Sequence, residues 1–238
     1  MRNPLESIDV FILCGGLGKR LRPVVAGKQK VMAEIGEKPF LETVVKNLIS
    51  HGFRKIIFGT GHLAEDVENY FKEKSVNWDG VVFEFSRENK PLGTGGAVKK
   101  ALPYIKSKDF LVLNGDSFFN PDFKDFHANH IGHSYPLSMV LTKNKDKKDY
   151  GNVIITNGGV IDSFFEKDEK GEGAFISAGI YFMEKRIEEY FPHEEVFSLE
   201  FDVFPKLKRN SKGFVFEGEF VDIGTPERYE SAQDSLKE

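Results

Sequence analysis

Apolar positions recur along this chain with two periods that take turns. Val10 to Leu13 is a short apolar run ending in Cys14-Gly15-Gly16, the pattern of a buried strand entering a tight loop. That loop runs to about Lys30. After Pro39, Leu41, Val44, Val45, Leu48 and Ile49 return at helical spacing, and Gly52 supplies a stop. Lys55 to Thr60 reads as the second strand, Leu63, Val67, Tyr70 and Phe71 as an amphipathic helix, and Val81 to Phe85 as the third strand. A loop through Gly95-Gly96 leads into a helix around Val98 to Leu102, and Phe110 to Asn114 is the fourth strand. Strands and helices alternating at these lengths predict βαβ units. The expected class is α/β, a mainly parallel mixed sheet flanked by helices, with ligand sites outside the carboxyl ends of its strands.

Past Pro121 the alternation loosens. Strands are expected at Leu137 to Thr142, Val153 to Ile155, Val160 to Phe165 and Phe175 to Phe182, and a last helix follows Pro226, a residue suited to the first helical turn. The pattern describes one domain over residues 1–238, with a first half, 1–120, and a second, 121–238, built onto the same sheet as a substrate lobe. No hexapeptide repeat follows, so no C-terminal β-helix is expected.

Composition narrows the functions open to such a fold. With 238 residues, 40% hydrophobic and 29% charged, the chain buries a sizeable core. Lys and Arg number 33 against 37 Asp and Glu, a net charge of −4, which gives no general attraction to nucleic acid or an anionic membrane. Any phosphate site must be local. A single cysteine, Cys14, excludes an intramolecular disulfide and suits a reducing compartment. There is no signal-like apolar segment at the N-terminus and no run long enough to span a membrane. A cytoplasmic protein is expected, as a monomer or a homo-oligomer.

Gly15-Gly16-Leu17-Gly18-Lys19-Arg20 follows a strand, and glycines let backbone N–H groups approach a polyphosphate. Two common phosphate loops do not fit. A Walker A loop needs glycine where Leu13 stands and Ser or Thr where Arg20 stands, and a dinucleotide fingerprint begun at Gly16 needs glycine where Leu21 stands. Arg20 and, ten positions on, Lys30 place two cations beside the backbone donors, which suits a triphosphate. At the end of the fourth strand, Asn114-Gly115-Asp116 offers a carboxylate at the ligand rim, either a Mg²⁺ ligand or a turn acid. Asp222, in Val221-Asp222-Ile223-Gly224-Thr225-Pro226, ends a second short strand in the same way. His127, His130 and His133 recur every third residue and are expected at a solvated helix end rather than in a zinc site.

A strand followed by Gly-Gly-x-Gly-x-Arg-Leu and Pro23, then a lysine some ten residues later, resembles the sugar-1-phosphate nucleotidyltransferase family. The resemblance runs from about Val10 to Gln233 and implies a Rossmann-like sheet of the nucleotide-diphospho-sugar transferase type. It implies that Leu13, Gly15, Gly16, Gly18 and Arg20 hold the nucleoside triphosphate, that Arg20 and Lys30 act catalytically, and that Asp116 and Asp222 hold Mg²⁺, with Mn²⁺ as the alternative. The family's usual Pro-Lys-Pro is Gln29-Lys30-Val31 in this chain.

Pro91-Leu92-Gly93-Thr94-Gly95-Gly96-Ala97 resembles the family's segment that contacts base and ribose, which assigns Leu92, Gly93 and Thr94 to the nucleotide. Glu88 stands three residues before Pro91, where thymidylyl-transferring relatives have an amide. A carboxylate only accepts hydrogen bonds, and guanine presents N1–H and N2–H₂ donors along one edge, so GTP is the expected nucleotide. By resemblance Gly151, Glu166, Lys167 and Gly179 line the sugar-phosphate pocket. The motifs look most like those of the D-glycero-D-manno-heptose 1-phosphate guanylyltransferases, which implies a nucleotide-sugar step toward a capsule or lipopolysaccharide glycan. The alternatives are a mannose 1-phosphate guanylyltransferase, a UTP- or CTP-using hexose 1-phosphate enzyme and, in another class, a non-catalytic sugar-nucleotide-binding subunit.

Overall fold

The computed structural model describes residues 3–18, 20–21, 24–25, 27–143, 152–165 and 175–236. Strand β1 (Asp9–Leu13) is followed by a hairpin of two short strands, β2 (Glu34–Ile35) and β3 (Lys38–Pro39), then α1 (Phe40–His51), β4 (Lys55–Thr60), α2 (Ala64–Lys74) and β5 (Val82–Arg87). Helix α3 (Gly93–Ala101), β6 (Asp109–Asn114), β7 (Ser117–Phe118), α4 (Phe123–Ile131) and β8 (Leu137–Thr142) come next. The chain continues through β9 (Asn152–Ile155), β10 (Ile161–Phe165), β11 (Phe175–Glu184), β12 (Lys212–Val215), β13 (Val221–Asp222) and α5 (Pro226–Ser235).

Among the described residues nine strands form one sheet whose main path runs β10-β9-β11-β6-β1-β4-β5, with β8 against β11 and β12 against β8. β6, β1, β4 and β5 are mutually parallel, as three βαβ crossovers require. β11 runs antiparallel to β6 and joins the later strands to the same sheet. Alternation along each strand divides the core between two faces. Leu111, Leu113, Ile180 and Phe182 pack with α1, α2 and α4, whereas Phe110, Val112, Tyr181 and Met183 pack with α3 and the segment Leu199–Leu207. Among the described residues no helix is long and apolar enough to cross a membrane.

Two expectations are corrected. Gly95 and Gly96 lie inside α3 instead of in the loop before it. Their amides donate to the Phe197 carbonyl (3.0 and 3.2 Å), and a Cβ on Gly95 would stand 2.3 Å from the Phe197 ring. Glycine, a poor helix former, is retained because the ring occupies the space of a side chain. The α4 histidines are not solvated either: His127 and His130 are 8% and 1% exposed, packed on the Phe182 ring with centroids 5.2 and 5.4 Å away. Burial depresses the basicity of both, which favours the neutral imidazole expected of a core histidine.

Candidate active site

The carboxyl ends of β1 and β6 and the start of α3 enclose a cavity of about 300 Å³ whose lining includes Gly15, Gly16, Lys30, Glu88, Thr94 and Asp116. Leu13 and Gly93 line it as well. As the chain leaves β1, the Cys14 amide donates to Gly59 O (2.9 Å) and Leu13 O accepts from Gly115 (3.0 Å), so the loop departs between two fixed neighbours. Gly18 is left-handed at φ +58°, and a Cβ there would stand 2.9 Å from Lys30 Cβ. Loop and lysine therefore pack closely only because residue 18 lacks a side chain. Gly16 faces open space, which leaves its backbone approachable. Arg20 is exposed beyond this loop and stands outside the cavity lining.

Gln29, which spacing did not single out, holds the loop in shape. Its side chain is 2% exposed. The amide nitrogen donates to Cys14 O and to Gly16 O (3.2 Å), the amide oxygen accepts from Val31 N (2.6 Å), and its backbone N–H donates to Asp66 Oδ2 (2.8 Å). A proline at this position would stiffen the backbone but could not donate to Asp66. Gln29 thus replaces ring rigidity with a cross-link between the two ends of the loop. Gln29→Ala leaves those buried groups unsatisfied and should cost about 1–3 kcal/mol of stability, with a higher KM for the triphosphate. Thermal melts and initial rates check this; unchanged values of both would mean that the loop holds its form without the amide.

Lys30 Nζ lies 2.7 Å from Asp116 Oδ2, with the lysine side chain 11% and the aspartate 43% exposed. The aspartate therefore keeps an open side toward the cavity. β7 and β13 pair so that Asp222 stands opposite Ser117, and Ile223 N donates to Asp116 O (3.0 Å). Two acids more than a hundred residues apart thereby share one rim. Asp222 Oδ1 accepts from Gly224 N (2.8 Å) and from Arg228 Nη1 (3.3 Å), which fixes its orientation. Cys14 is in the cavity wall, but burial and nearby Asp116 push its thiol pKa far up. It stays a neutral packing group, not a nucleophile.

Glu88 is held at the other end of the cavity. Its Oε2 accepts from Leu92 N (3.0 Å), and a Cβ on Gly15 would stand 3.2 Å from Oε1. Burial raises its pKa, partly countered by the Leu92 N–H and by Lys100. Thr94 also lines the cavity, and its hydroxyl donates to Glu200 Oε2 (2.6 Å) and accepts from Leu199 N (2.9 Å). Leu92 O accepts from Phe197 N (3.0 Å). Phe197 and Glu200, carried by a segment without a sequence pattern, therefore anchor the start of α3. Gly179, in the irregular stretch of β11 where pairing with β8 shifts register, has φ +70°, and a Cβ there would stand 2.7 Å from Asn114 Nδ2. It abuts the same rim. Gly151, Glu166 and Lys167 lie outside the described residues, as do Lys19 and Arg22.

This arrangement has known counterparts. The family described as Nucleotidyl transferase matches residues 9–238. The chain belongs to that family. It is 38% identical over 232 residues to the D-glycero-alpha-D-manno-heptose 1-phosphate guanylyltransferase of Aneurinibacillus thermoaerophilus, covering 97% of this chain and 99% of the relative. Identity to the Campylobacter jejuni enzyme of the same name is 36% over 225 residues, covering 93% and 97%. The crystal structure of HddC from Yersinia pseudotuberculosis complexed with GMP-PN superposes with a TM-score of 0.84 at 35% identity, over 97% of this chain and all of that one. The chain is therefore an enzyme, a nucleotidyl transferase. Nucleotidyl transferases of this family generally use a divalent metal, and the paired rim carboxylates are hard oxygen donors of the kind such an ion takes.

Proposed function

We propose that this nucleotidyl transferase moves GMP from GTP to D-glycero-α-D-manno-heptose 1-phosphate, forming GDP-heptose and pyrophosphate. The observation that carries the reading is a single cavity with an acceptor-only carboxylate, Glu88, at one end and the Lys30–Asp116 pair at the other. That spacing suits a guanine base at the first and phosphates at the second. The heptose rests on similarity to relatives that match nearly end to end.

An oxygen of the sugar 1-phosphate attacks the α-phosphorus in line, its bond to phosphorus forms as the bond to the bridging oxygen breaks, and pyrophosphate leaves with that electron pair. No general base is needed, because a phosphate monoester with a second pKa of about 6 is mostly dianionic at neutral pH. The protein must bring two anions together and neutralise charge on the leaving group. Lys30 and Arg20 supply positive charge to the triphosphate, and the Gly15 to Gly18 amides donate to its oxygens. Leu13, Leu92, Gly93 and Thr94 shape the nucleoside end, and Gly151, Glu166, Lys167 and Gly179 receive the sugar phosphate. Asp116 and Asp222 would hold Mg²⁺, which when bound supplies Lewis-acid stabilisation to phosphoryl oxygens. The reaction would take place in the cytoplasm and feed a capsule or lipopolysaccharide glycan.

The test is pyrophosphate release with Mg²⁺ over a grid of four nucleoside triphosphates and several sugar 1-phosphates. Highest kcat/KM for GTP with the heptose phosphate is expected. A higher value with mannose 1-phosphate, or with UTP, would replace the sugar or the base, and silence across the grid would leave a sugar-nucleotide-binding subunit.

A further inference from the structure

At the opposite end of the sheet, three potential metal ligands converge. Asp109 opens β6, Glu184 closes β11, and the two are register partners. Alternation puts them on the face of Leu111 and Phe182, beneath α4. His130, in the last turn of α4, completes the group, and one donor atom from each of the three lies within 4.8 Å of the others. Asp109 and Asn114 are five residues apart along β6, about 16 Å at roughly 3.3 Å per residue. The cluster is therefore remote from the Asp116 rim.

Two of its atoms lack what a folded interior normally provides. His130 Nε2 and Asp109 Oδ1 are shielded from solvent, and neither has a hydrogen-bond partner among the described residues. They face each other at 4.0 Å, too far for a hydrogen bond and close to the roughly 3.4 Å that tetrahedral Zn–N and Zn–O bonds of about 2.1 Å would set. A small side-chain movement closes the difference. A buried polar atom left unsatisfied is a cost to the fold, and an ion between the two removes it.

The surroundings suit a ligating imidazole. His130 Nδ1 lies 2.8 Å from Ser138 Oγ, and an Nδ1–H donated to that hydroxyl leaves the Nε2 lone pair free for a metal, the orienting contact that metal-bound histidines usually make. Ser138 Oγ is held in turn by His133 Nε2 at 3.1 Å. Glu184 engages Arg186 Nε through Oε2 (2.7 Å), and a carboxylate has a second oxygen to offer.

We propose that Asp109, His130 and Glu184 form a second, structural metal site that takes one zinc-class divalent cation, with water in the fourth position. Imidazole favours zinc and its first-row neighbours over Mg²⁺, which prefers an all-oxygen shell. The ion would pin the end of α4 to β6 and β11 and stabilise the sheet without entering the reaction.

The experiment uses the full chain, stripped of metal by chelation and then offered Zn²⁺ in excess Mg²⁺, with bound zinc measured by elemental analysis after gel filtration and affinity by calorimetry. One zinc per chain is expected in the wild type and equally in Asp116→Asn, together with a higher melting temperature. Asp109→Asn and Glu184→Gln should each weaken binding on the order of tenfold or more, while Asp109→Asn keeps near-normal turnover with Mg²⁺. Co²⁺ added to the wild type should give the visible d–d absorption of a four-coordinate site. Failure of the folded wild type to take up zinc or to give that absorption overturns the proposal. So does uptake that survives both acid substitutions, or that disappears in Asp116→Asn.

Discussion

Asp116→Asn should lower kcat by about 10³-fold while leaving the melting temperature near that of the wild type. A rim carboxylate that supports several kcal/mol of charge stabilisation in the transition state translates at roughly 1.4 kcal/mol per factor of ten into a loss of that size. The fold should tolerate the change for local reasons. Asp116 is nearly half exposed, its backbone carbonyl still receives Ile223 N–H, and the asparagine amide oxygen still accepts from Lys30 Nζ. Lys30 is only 11% exposed, but it keeps an oxygen acceptor within reach and so is not left without a hydrogen-bond partner. The measurement pairs steady-state turnover, with Mg²⁺ and the preferred substrate pair from the grid, with a thermal melt and GTP titration. Near-normal turnover would remove Asp116 from the metal site, and a large fall in melting temperature would reassign its role to the fold.

What could be read from the chain depended on where each element gets its stability. The strands of the parallel core and the helix after Pro39 carry their own apolar pattern, and Lys55–Thr60 and Leu137–Thr142 fall at the expected bounds. The Pro226 helix likewise starts on its proline, capped by Thr225. In α4 a helix end was expected at the histidines but its buried face was not, because the apolar partner that covers His127 and His130, Phe182, lies more than fifty residues later. Helix α3 was expected only from about Val98, and its first turn hid behind three glycines, two of which pack against the Phe197 ring and carbonyl. The short strand ending on Asp222 was expected, but its two-residue partner β7 shows no period, and it is their pairing that brings Asp222 to the Asp116 rim. The candidate site was legible at Gly15 to Gly18, Lys30, Glu88 and Asp116, where motif and strand end coincide. It was not legible at Gln29, Phe197 or Glu200, whose partners are set by tertiary packing.

Glu88→Gln should change which nucleotide the enzyme prefers. In the proposed complex the carboxylate accepts from guanine N1–H and N2–H₂, and hydrogen bonds to a charged group contribute about 1.5–3 kcal/mol. Glutamine keeps one acceptor but adds an NH₂ that meets guanine's own donors. The kcat/KM for GTP is therefore expected to fall about 10²-fold, and that for UTP much less, because uracil offers both a donor and an acceptor to an amide. Inosine triphosphate, lacking N2–H₂, should lose part of its rate with the wild type and little with the variant. The raised pKa of Glu88 adds a second signature. Below that pKa the carboxyl is protonated and presents a donor where the base requires acceptors, so KM for GTP should rise as pH falls through it. The uncharged glutamine removes this dependence. A GTP-to-UTP preference and a pH profile both unchanged in Glu88→Gln would show that the base is read elsewhere, with Glu88 serving only to hold Leu92 N–H and the start of α3.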